Sequence, residues 1–248
     1  MAGNRDRNDH DWLVSDAIMR VVLFDIDGTM LRSGGVGRVS MEAALKEVFG
    51  ATGRSEYHYD GKTDRQIVRD LMRLEGFTDD RIDSQMDTLL AAYLAGLERG
   101  LTSGARTVQV IEGVVDLLDA LEKEEKVVLG LLTGNIEAGA RAKLIAADID
   151  FARFRVNAFG SDHELRPELP AVAQQRAREL LGADIEGNRM FVIGDTPADI
   201  RCGEAIGARA IGVATGRYSV DQLAEHDPWA VFETLADTDA VMRRIMDA

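Results

Sequence analysis

Acidic and hydroxyl residues follow short apolar runs at three places in this sequence. The three junctions are Val21–Phe24 before Asp25 and Asp27, Val127–Leu132 before Thr133–Asn135, and Met190–Ile193 before Gly194 and Asp195. Apolar runs of this kind are typical of strands that are buried on both faces of a sheet. Because parallel strands end at one shared edge, we expect these polar residues to meet where open α/β sheets bind their ligands.

Converging carboxylates at that edge predict a divalent metal ion. Two like charges about 4 Å apart repel by on the order of 4 kcal/mol at an effective dielectric constant of about 20. A hard cation with oxygen ligands removes this cost, and Mg²⁺ typically binds one or two carboxylates together with water and substrate phosphate. We therefore predict a Mg²⁺ site formed by Asp25, Asp27 and Asp195. Each aspartate alone could equally be a helix cap or a solvated loop residue, so the prediction depends on the set.

The chain that must position these residues alternates between helix and strand patterns after residue 108. Helices are expected near 113–124, 136–147, 167–181, 197–205 and 234–247, and strands near 127–132, 155–159, 190–193, 210–214 and 230–232. Alternating units of this kind imply a parallel sheet with helices on both faces. The sequence thus predicts an α/β fold with a doubly wound parallel sheet.

An all-helical insertion is predicted between the first strand and the rest of the sheet. Its three amphipathic helices are each expected to end at a glycine, namely Gly50, Gly76 and Gly100. Glycine-rich stretches on both sides favour a mobile lid, and a static helical subdomain is the alternative. The predicted organisation is a flexible tail over 1–17, a core over 18–33 and 105–248, and a helical cap over 34–104.

Composition excludes several classes of partner. A net charge of −14 in 248 residues disfavours binding to nucleic acid or to an anionic membrane. The single cysteine, Cys202, indicates a reducing compartment, and we expect it to be a buried core residue. We predict a cytoplasmic protein, since no apolar run approaches the ~18 residues of a membrane span. The oligomeric state is left open.

Four ordered motifs resemble those of the haloacid dehalogenase superfamily. They are Asp25–Thr29, Thr133–Asn135, Arg166–Pro167 and Gly194–Asp199. The likeness is greatest to Mg²⁺-dependent phosphatases of the phosphoglycolate-phosphatase type, and it covers about residues 18–247. It implies a Rossmann-like core, a helical cap inserted after the first motif, and a small phosphorylated substrate. The third motif departs from the common pattern, because lysine is frequent where this chain has Arg166.

The resemblance, together with the expected strand ends, assigns roles to the acidic residues. Asp25 would attack phosphorus and form an aspartyl-phosphate. Asp27 would act as general acid and base, and its backbone carbonyl would be a metal ligand. Asp195 would bind the metal, and Asp199 would support it through a metal-bound water or by orienting Arg166. An ordinary first-turn helix charge is the alternative for Asp199.

Phosphate contacts are expected from the second and third motifs. Thr133, Gly134 and Asn135 precede a helix, where a hydroxyl and free backbone amides suit phosphate oxygens, although an ordinary turn and N-cap fits equally well. Arg166 offers a planar, bidentate cation, with an ordinary surface arginine as the alternative. Lys143 is the rival cation, but its helical spacing after Asn135 favours a solvated face.

The cap loop at Gly61–Asp64 is expected to face the substrate. Lys62 would reach an anionic group, and a solvated turn lysine is the alternative. Thr63 would also start the second cap helix through a capping box with Gln66.

We interpret the sequence as a Mg²⁺-dependent phosphatase acting on a small phosphorylated metabolite through an aspartyl-phosphate. A phosphomutase or another phosphotransferase on the same fold remains an alternative. A dehalogenase fits less well, because carbon–halogen displacement does not require the acid/base group that Asp27 supplies. A non-catalytic phosphate-binding regulator is the third possibility, although binding alone needs no nucleophile beside an acid.

Overall fold

The computed structural model describes residues 19–104 and 107–247. The strands are β1 (Arg20–Phe24), β2 (Leu31–Arg32), β3 (Gln109–Val110), β4 (Val127–Thr133), β5 (Val156–Phe159), β6 (Met190–Gly194), β7 (Arg209–Val213) and β8 (Ala230–Phe232). The α-helices are α1 (Val36–Phe49), α2 (Asp64–Leu74), α3 (Asp79–Thr102), α4 (Val114–Glu122), α5 (Glu137–Ala146), α6 (Leu169–Leu181), α7 (Pro197–Cys202), α8 (Val220–Ala224) and α9 (Thr238–Met246). The predicted tail over 1–17 lies outside the described residues.

Six of these strands form a parallel sheet in the order β5-β4-β1-β6-β7-β8. From β1 the chain adds β4 and β5 on one side and then β6, β7 and β8 on the other, so β1 lies where the strand order reverses. Phe24 pairs with Leu131 of β4 and with Ile193 of β6. The three polar junctions therefore lie side by side at the edge where doubly wound sheets bind ligands, which confirms the predicted α/β fold.

Successive side chains of β1 face opposite sides of the sheet and contribute to two separate hydrophobic layers. Val22 and Phe24 pack into the layer that holds α4 and α9, while Val21 and Leu23 face the layer under α6. Both layers are buried because helices cover both faces of the sheet, as the continuous apolar runs predict.

Helices α1, α2 and α3 share a separate hydrophobic cluster, as expected for an all-helical insertion. Ile136, at the start of α5, also packs into this cluster and ties it to the core. The predicted end of the third helix at Gly100 is wrong, since α3 continues to Thr102. Gly100 instead allows close helix packing, because a Cβ there would lie 2.6 Å from Cγ1 of Val36.

A short ribbon at the base of the insertion has no clear sequence signal. Strands β2 and β3 pair antiparallel, with Leu31 opposite Val110. Two-residue strands are too short to show an alternating pattern. The helix expected to begin at Pro167 begins at Leu169, and Arg166–Glu168 form a 3-10 turn before it. No helix in the described ranges is long and apolar enough to cross a bilayer.

Candidate active site

Asp25 and Asp27 follow β1 and have different surroundings. Asp25 is buried, and its Oδ1 accepts a 3.0 Å hydrogen bond from Nη2 of Arg166. The Asp27 side chain is 42% exposed, and its Oδ2 accepts from Nδ2 of Asn135 over 2.8 Å and from Nζ of Lys143 over 2.5 Å. One carboxylate is thus held by an arginine inside the site, while the other faces an opening.

Asp25 and Asp195 lie together, as the spatial prediction requires. Asp25, Asp195 and Asp199 each place one carboxylate oxygen within 4.8 Å of the others. Burial, with the nearby charges of Asp199 and Asp25, raises the pKa of Asp195 to about 8. Burial also raises the pKa of Asp25 to about 6, although the Arg166 guanidinium opposes this rise. Ionising the whole cluster would therefore leave negative charge that the protein compensates only in part.

Backbone at two glycines packs closely around Asp195. A Cβ at Gly28 would lie 2.5 Å from Oδ2 of Asp195, and one at Gly216 would lie 1.7 Å away. Oγ1 of Thr29 donates to Oδ1 of Asp195 over 3.0 Å. Gly28 in the first motif is therefore required both by its positive φ of 85° and by this contact.

Arg166 is buried between the first and fourth motifs. Its Nη2 donates to Oδ1 of Asp25, to Oδ1 of Asp199 and, over 3.3 Å, to the Leu132 carbonyl. Although burial disfavours the charge, Asp199 and Asp25 raise the pKa of Arg166 above its ordinary value. Asp199 also accepts from the backbone N–H of Thr196, so it both caps α7 and orients Arg166.

The second motif forms the turn between β4 and α5. Thr133 is buried, and its Oγ1 accepts from Nδ2 of Asn135 over 2.8 Å. The same amide nitrogen reaches Asp27, so Asn135 connects the second motif to the first. A Cβ at Gly134 would lie 2.0 Å from the Lys62 carbonyl oxygen, which shows how closely the cap loop approaches this turn.

The predicted solvated position of Lys143 is wrong. Lys143 is 3% exposed, and besides Asp27 its Nζ contacts Oδ1 of Asn135 over 2.6 Å. Helical spacing after Asn135 favoured a solvated face for Lys143, but it did not show that the cap covers this face. A lysine can bury its stem there because its ammonium is paired.

The cap loop meets the second motif through three successive residues. Lys62 lines the cavity, and its Nζ pairs with Asp70 over 3.0 Å. Thr63 caps α2 by accepting from the Gln66 N–H, which is one half of the predicted capping box, and it also donates to the Glu164 carbonyl. Asp64 donates its N–H to the Gly134 carbonyl over 2.8 Å. The cap is therefore hydrogen-bonded to the core beside the catalytic candidates.

A cavity of about 210 Å³ lies between the cap and the sheet edge. Asp25, Asp27, Asn135, Arg166 and Asp195 line it from the core, with Tyr59 and Tyr93 among the cap residues opposite.

Cys202 lies outside this cavity and is buried, as expected, and burial raises the pKa of its thiol to about 12.

Comparison with known proteins decides the family. Residues 19–207 match the model of the haloacid dehalogenase-like hydrolases. This chain belongs to that hydrolase family. The resemblance seen in the four motifs is thereby confirmed.

Several relatives of this haloacid dehalogenase-like hydrolase are known. The "Probable phosphatase IndB" of Dickeya dadantii (strain 3937) is 32% identical over 128 residues, which are 52% of this chain and 54% of IndB. The chain thus matches about half the length of that curated relative. A hydrolase from Pseudomonas syringae superposes with a TM-score of 0.68 at 21% identity, covering 92% of this chain and 99% of that protein. A "predicted phosphoglycolate phosphatase" from Haemophilus somnus 129PT gives 0.65 at 20% identity, covering 90% and 98%. These two structures support the fold.

The donor set of this haloacid dehalogenase-like hydrolase suits a divalent metal. Its three clustered acidic residues offer only oxygen atoms, which hard cations prefer. Burial and the crowding of neighbouring carboxylates raise the pKa of both Asp25 and Asp195, and a bound cation would oppose this rise.

The contacts of two site residues were not predicted from the sequence. Lys143 reaches Asp27 from a helix turn, and Asp64 accepts from the Ile136 N–H over 2.8 Å across the boundary between cap and core. Both depend on how the cap lies on the core, which no local pattern reveals. Asp64 also follows the helix-capping Thr63 directly. A favourable interaction with the helix dipole therefore explained its position in the sequence as well as a contact with the core would.

Proposed function

We propose that this protein is a Mg²⁺-dependent phosphoric monoester hydrolase that acts on a small phosphorylated metabolite through an aspartyl-phosphate. The observation that carries the proposal is the arrangement of Asp25, with Arg166 bonded to its Oδ1 and the Asp195 carboxylate beside it. A curated relative named as a phosphatase supports this reaction class. Asp27 gives the site an acid/base group that a purely binding protein would not need.

The first step transfers the phosphoryl group to Asp25. A carboxylate oxygen of Asp25 attacks phosphorus, the bond between phosphorus and the ester oxygen breaks, and Asp27 donates its proton to the departing oxygen. Asp27 suits this role because its side chain reaches the cavity opening. Asn135 and Lys143 fix its position by bonding Oδ2.

The second step releases inorganic phosphate. Asp27 takes a proton from water as the water oxygen attacks phosphorus, and the bond between phosphorus and Asp25 breaks. Asp25 is regenerated as a carboxylate and Asp27 as an acid. Splitting a slow hydrolysis into two transfers lowers each barrier.

Mg²⁺ would be held by Asp195, Asp25 and the backbone carbonyl of Asp27, with Asp199 in support. A bound divalent cation supplies charge neutralisation between the anionic phosphoryl group and the carboxylates. Thr133, Gly134 and Asn135 are proposed to contact phosphate oxygens, together with Arg166.

The helical segment over 34–104 is proposed to act as a lid on the core, with Lys62 and Thr63 in the loop that approaches the substrate. Support comes from its separate hydrophobic cluster and its direct contacts to the second motif. A cytoplasmic location is also proposed, based on the single cysteine of the sequence.

Hydrolysis of p-nitrophenyl phosphate tests the reaction. We expect turnover that EDTA abolishes and Mg²⁺ restores, and a loss of at least 10³-fold in Asp25→Asn, because the nucleophile is removed. Asp184→Asn is the matched control, since Asp184 is an exposed partner of Arg178. Metal-independent turnover, or equal activity of Asp25→Asn and wild type, would contradict the proposal. Hydroxylamine reacts with acyl phosphates, so trapping with hydroxylamine tests for the aspartyl-phosphate on Asp25.

A further inference from the structure

The Arg38 guanidinium at the cavity wall is already engaged within the cap. Its Nε donates to Oε1 of Glu42 over 2.8 Å, its Nη1 to the Tyr57 carbonyl over 3.2 Å, and its Nη2 to the Ser55 carbonyl over 2.6 Å. Every nitrogen of this arginine thus has a partner inside the cap. Its positive charge is balanced by Glu42 and is only weakly available to a ligand.

The lysines that line the cavity are paired in the same way. Lys62 contacts Asp70, and Lys143 contacts Asp27. Asp64 adds a buried carboxyl group to the cap side of the cavity. Every cation of the described lining has a carboxylate partner, and only Arg166 is bonded to Asp25, beside which the phosphoryl group must lie. A second anionic group on the substrate would therefore be poorly stabilised there.

Tyr59 instead offers an unused hydroxyl group. Tyr59 lines the cavity, and its OH is buried and has no hydrogen-bond partner among the described residues. Buried polar atoms without partners are rare, so each such atom calls for an explanation. Burial raises the pKa of Tyr59 to about 12, which keeps the group a neutral donor and acceptor near pH 7.

The size of the cavity limits what can enter. Its volume of about 210 Å³ is below the ~300–1,000 Å³ of ordinary ligand pockets. The phosphoryl group must occupy the part next to Asp25, so little enclosed space remains for the leaving group under the cap.

We infer that the leaving group of the substrate is compact, uncharged and hydroxyl-bearing, and that the Tyr59 hydroxyl bonds it. This inference depends on the proposed phosphatase function and specifies its substrate class. It places small polyol or short-chain sugar phosphates ahead of phosphorylated carboxylic acids such as phosphoglycolate.

Three phosphate esters with three-carbon chains test the inference. sn-Glycerol 3-phosphate has two hydroxyl groups, 3-phosphoglycerate replaces one hydroxymethyl group with a carboxylate, and propyl phosphate has neither hydroxyl nor carboxylate. We expect kcat/KM of the wild type for glycerol 3-phosphate to exceed that for each of the others by roughly tenfold, the size of one good hydrogen bond. p-Nitrophenyl phosphate serves as the independent check of the phosphatase reaction.

Two variants connect the preference to named groups. Tyr59→Phe should lower the ratio of kcat/KM for glycerol 3-phosphate to that for propyl phosphate by about tenfold. Tyr57→Phe is the matched control, since the Tyr57 hydroxyl bonds Asp70 and does not line the cavity, and it should leave this ratio as in the wild type. Glu42→Gln keeps a hydrogen bond to Arg38 but releases its charge, so relative activity on 3-phosphoglycerate should rise roughly threefold.

The outcomes separate this inference from the function on which it depends. Hydrolysis of p-nitrophenyl phosphate combined with equal or higher activity on 3-phosphoglycerate overturns the substrate class and leaves the phosphatase proposal intact. A ratio in Tyr59→Phe equal to that of the wild type overturns the role of Tyr59. If none of the four esters is hydrolysed with Mg²⁺ present, both the function and the inference are wrong.

Discussion

Nζ of Lys143 lies 2.5 Å from Oδ2 of Asp27, which joins a buried ammonium of α5 to the carboxylate proposed to carry protons. The same ammonium bonds Asn135, the other group that holds Asp27. We therefore expect this lysine to act on the proposed reaction through Asp27, as a positioning residue.

Replacing this lysine should affect poor leaving groups most. Lys143→Met removes one of two bonds to Asp27, and general acid catalysis matters more for an alkyl ester than for p-nitrophenyl phosphate, whose leaving group needs no proton. We expect kcat for an alkyl phosphate to fall roughly 100-fold and kcat for p-nitrophenyl phosphate to fall about tenfold. Lys46→Met, at an exposed position of α1, is the control. Equal losses on both substrates would argue against a role through Asp27.

Arg166 should be important for stability as well as for activity. Arg166→Ala would leave Asp25 and Asp199 buried without their cation, which typically costs about 3–5 kcal/mol. Urea unfolding in EDTA measures this loss, and Arg166→Lys should restore part of it. Arg153→Ala, which removes ion pairs at the surface, should cost about 1 kcal/mol or less. A similar loss in the Arg166→Ala and Arg153→Ala variants would contradict the proposed buried pairing.

Mg²⁺ should stabilise the folded protein through the acidic cluster. A ligand at about 100 times its Kd stabilises the native state by about 2.7 kcal/mol. Thermal unfolding of the wild type should therefore shift upward with Mg²⁺, and Asp195→Asn should abolish most of the shift. Asp184→Asn should retain it, since Asp184 lies on the surface. An undiminished shift in Asp195→Asn would place the metal elsewhere.

The parts of the site that could be predicted are those with local signals. Apolar runs that precede Asp25, Thr133 and Asp195 identify buried strands, and the parallel register brings the ends of these strands together. Thr63 was also predictable as a helix cap, because capping depends on residues only three positions apart.

The remaining features depend on how the cap lies on the core. The spacing of Lys143 favoured a solvated face, but α5 packs against α3 of the cap and Lys143 is buried. Glycine commonly ends helices, which made Gly100 a wrong helix end. Gly100 lies within α3 and permits close packing against Val36 of α1. The pairing of β2 with β3, which brings Leu31 opposite Val110, could likewise not be predicted from a single sequence.

Asp64 should make stability depend on pH. Burial raises its pKa to about 6, although Lys143 opposes the rise, whereas an unfolded aspartate titrates at about 3.9. The native state therefore binds this proton more tightly, so the stabilising contribution is complete below about pH 4 and is lost as pH rises through about 6. The rise in pKa corresponds to about 3 kcal/mol.

Comparison with Asp64→Asn isolates this group. Asparagine can still accept from the Ile136 N–H, so the contact between cap and core is preserved. We expect the unfolding free energy of the variant, relative to the wild type, to increase by about 3 kcal/mol between pH 4 and pH 7. Urea titrations at several pH values measure the difference, and a difference independent of pH would contradict the assignment.

Contact of the cap loop with the fourth motif can be tested at Gly61. A Cβ at Gly61 would lie 2.4 Å from Cβ of Ala198 and 3.1 Å from Oγ1 of Thr196, which are both core residues. Gly50 also has a positive φ, of 75°, but a Cβ there would meet nothing within 4 Å. Alanine at either position should cost about 1 kcal/mol through backbone strain.

Only the Gly61→Ala change should also disturb catalysis. The added methyl group pushes the loop away from Ala198, and displacement of about 1 Å near a catalytic site can lower turnover up to 100-fold. We expect kcat/KM to fall about tenfold or more in Gly61→Ala and to remain close to wild type in Gly50→Ala, measured with p-nitrophenyl phosphate and Mg²⁺. Because both variants carry the same strain, equal activities would mean that seating of the cap loop on the fourth motif does not contribute to the reaction.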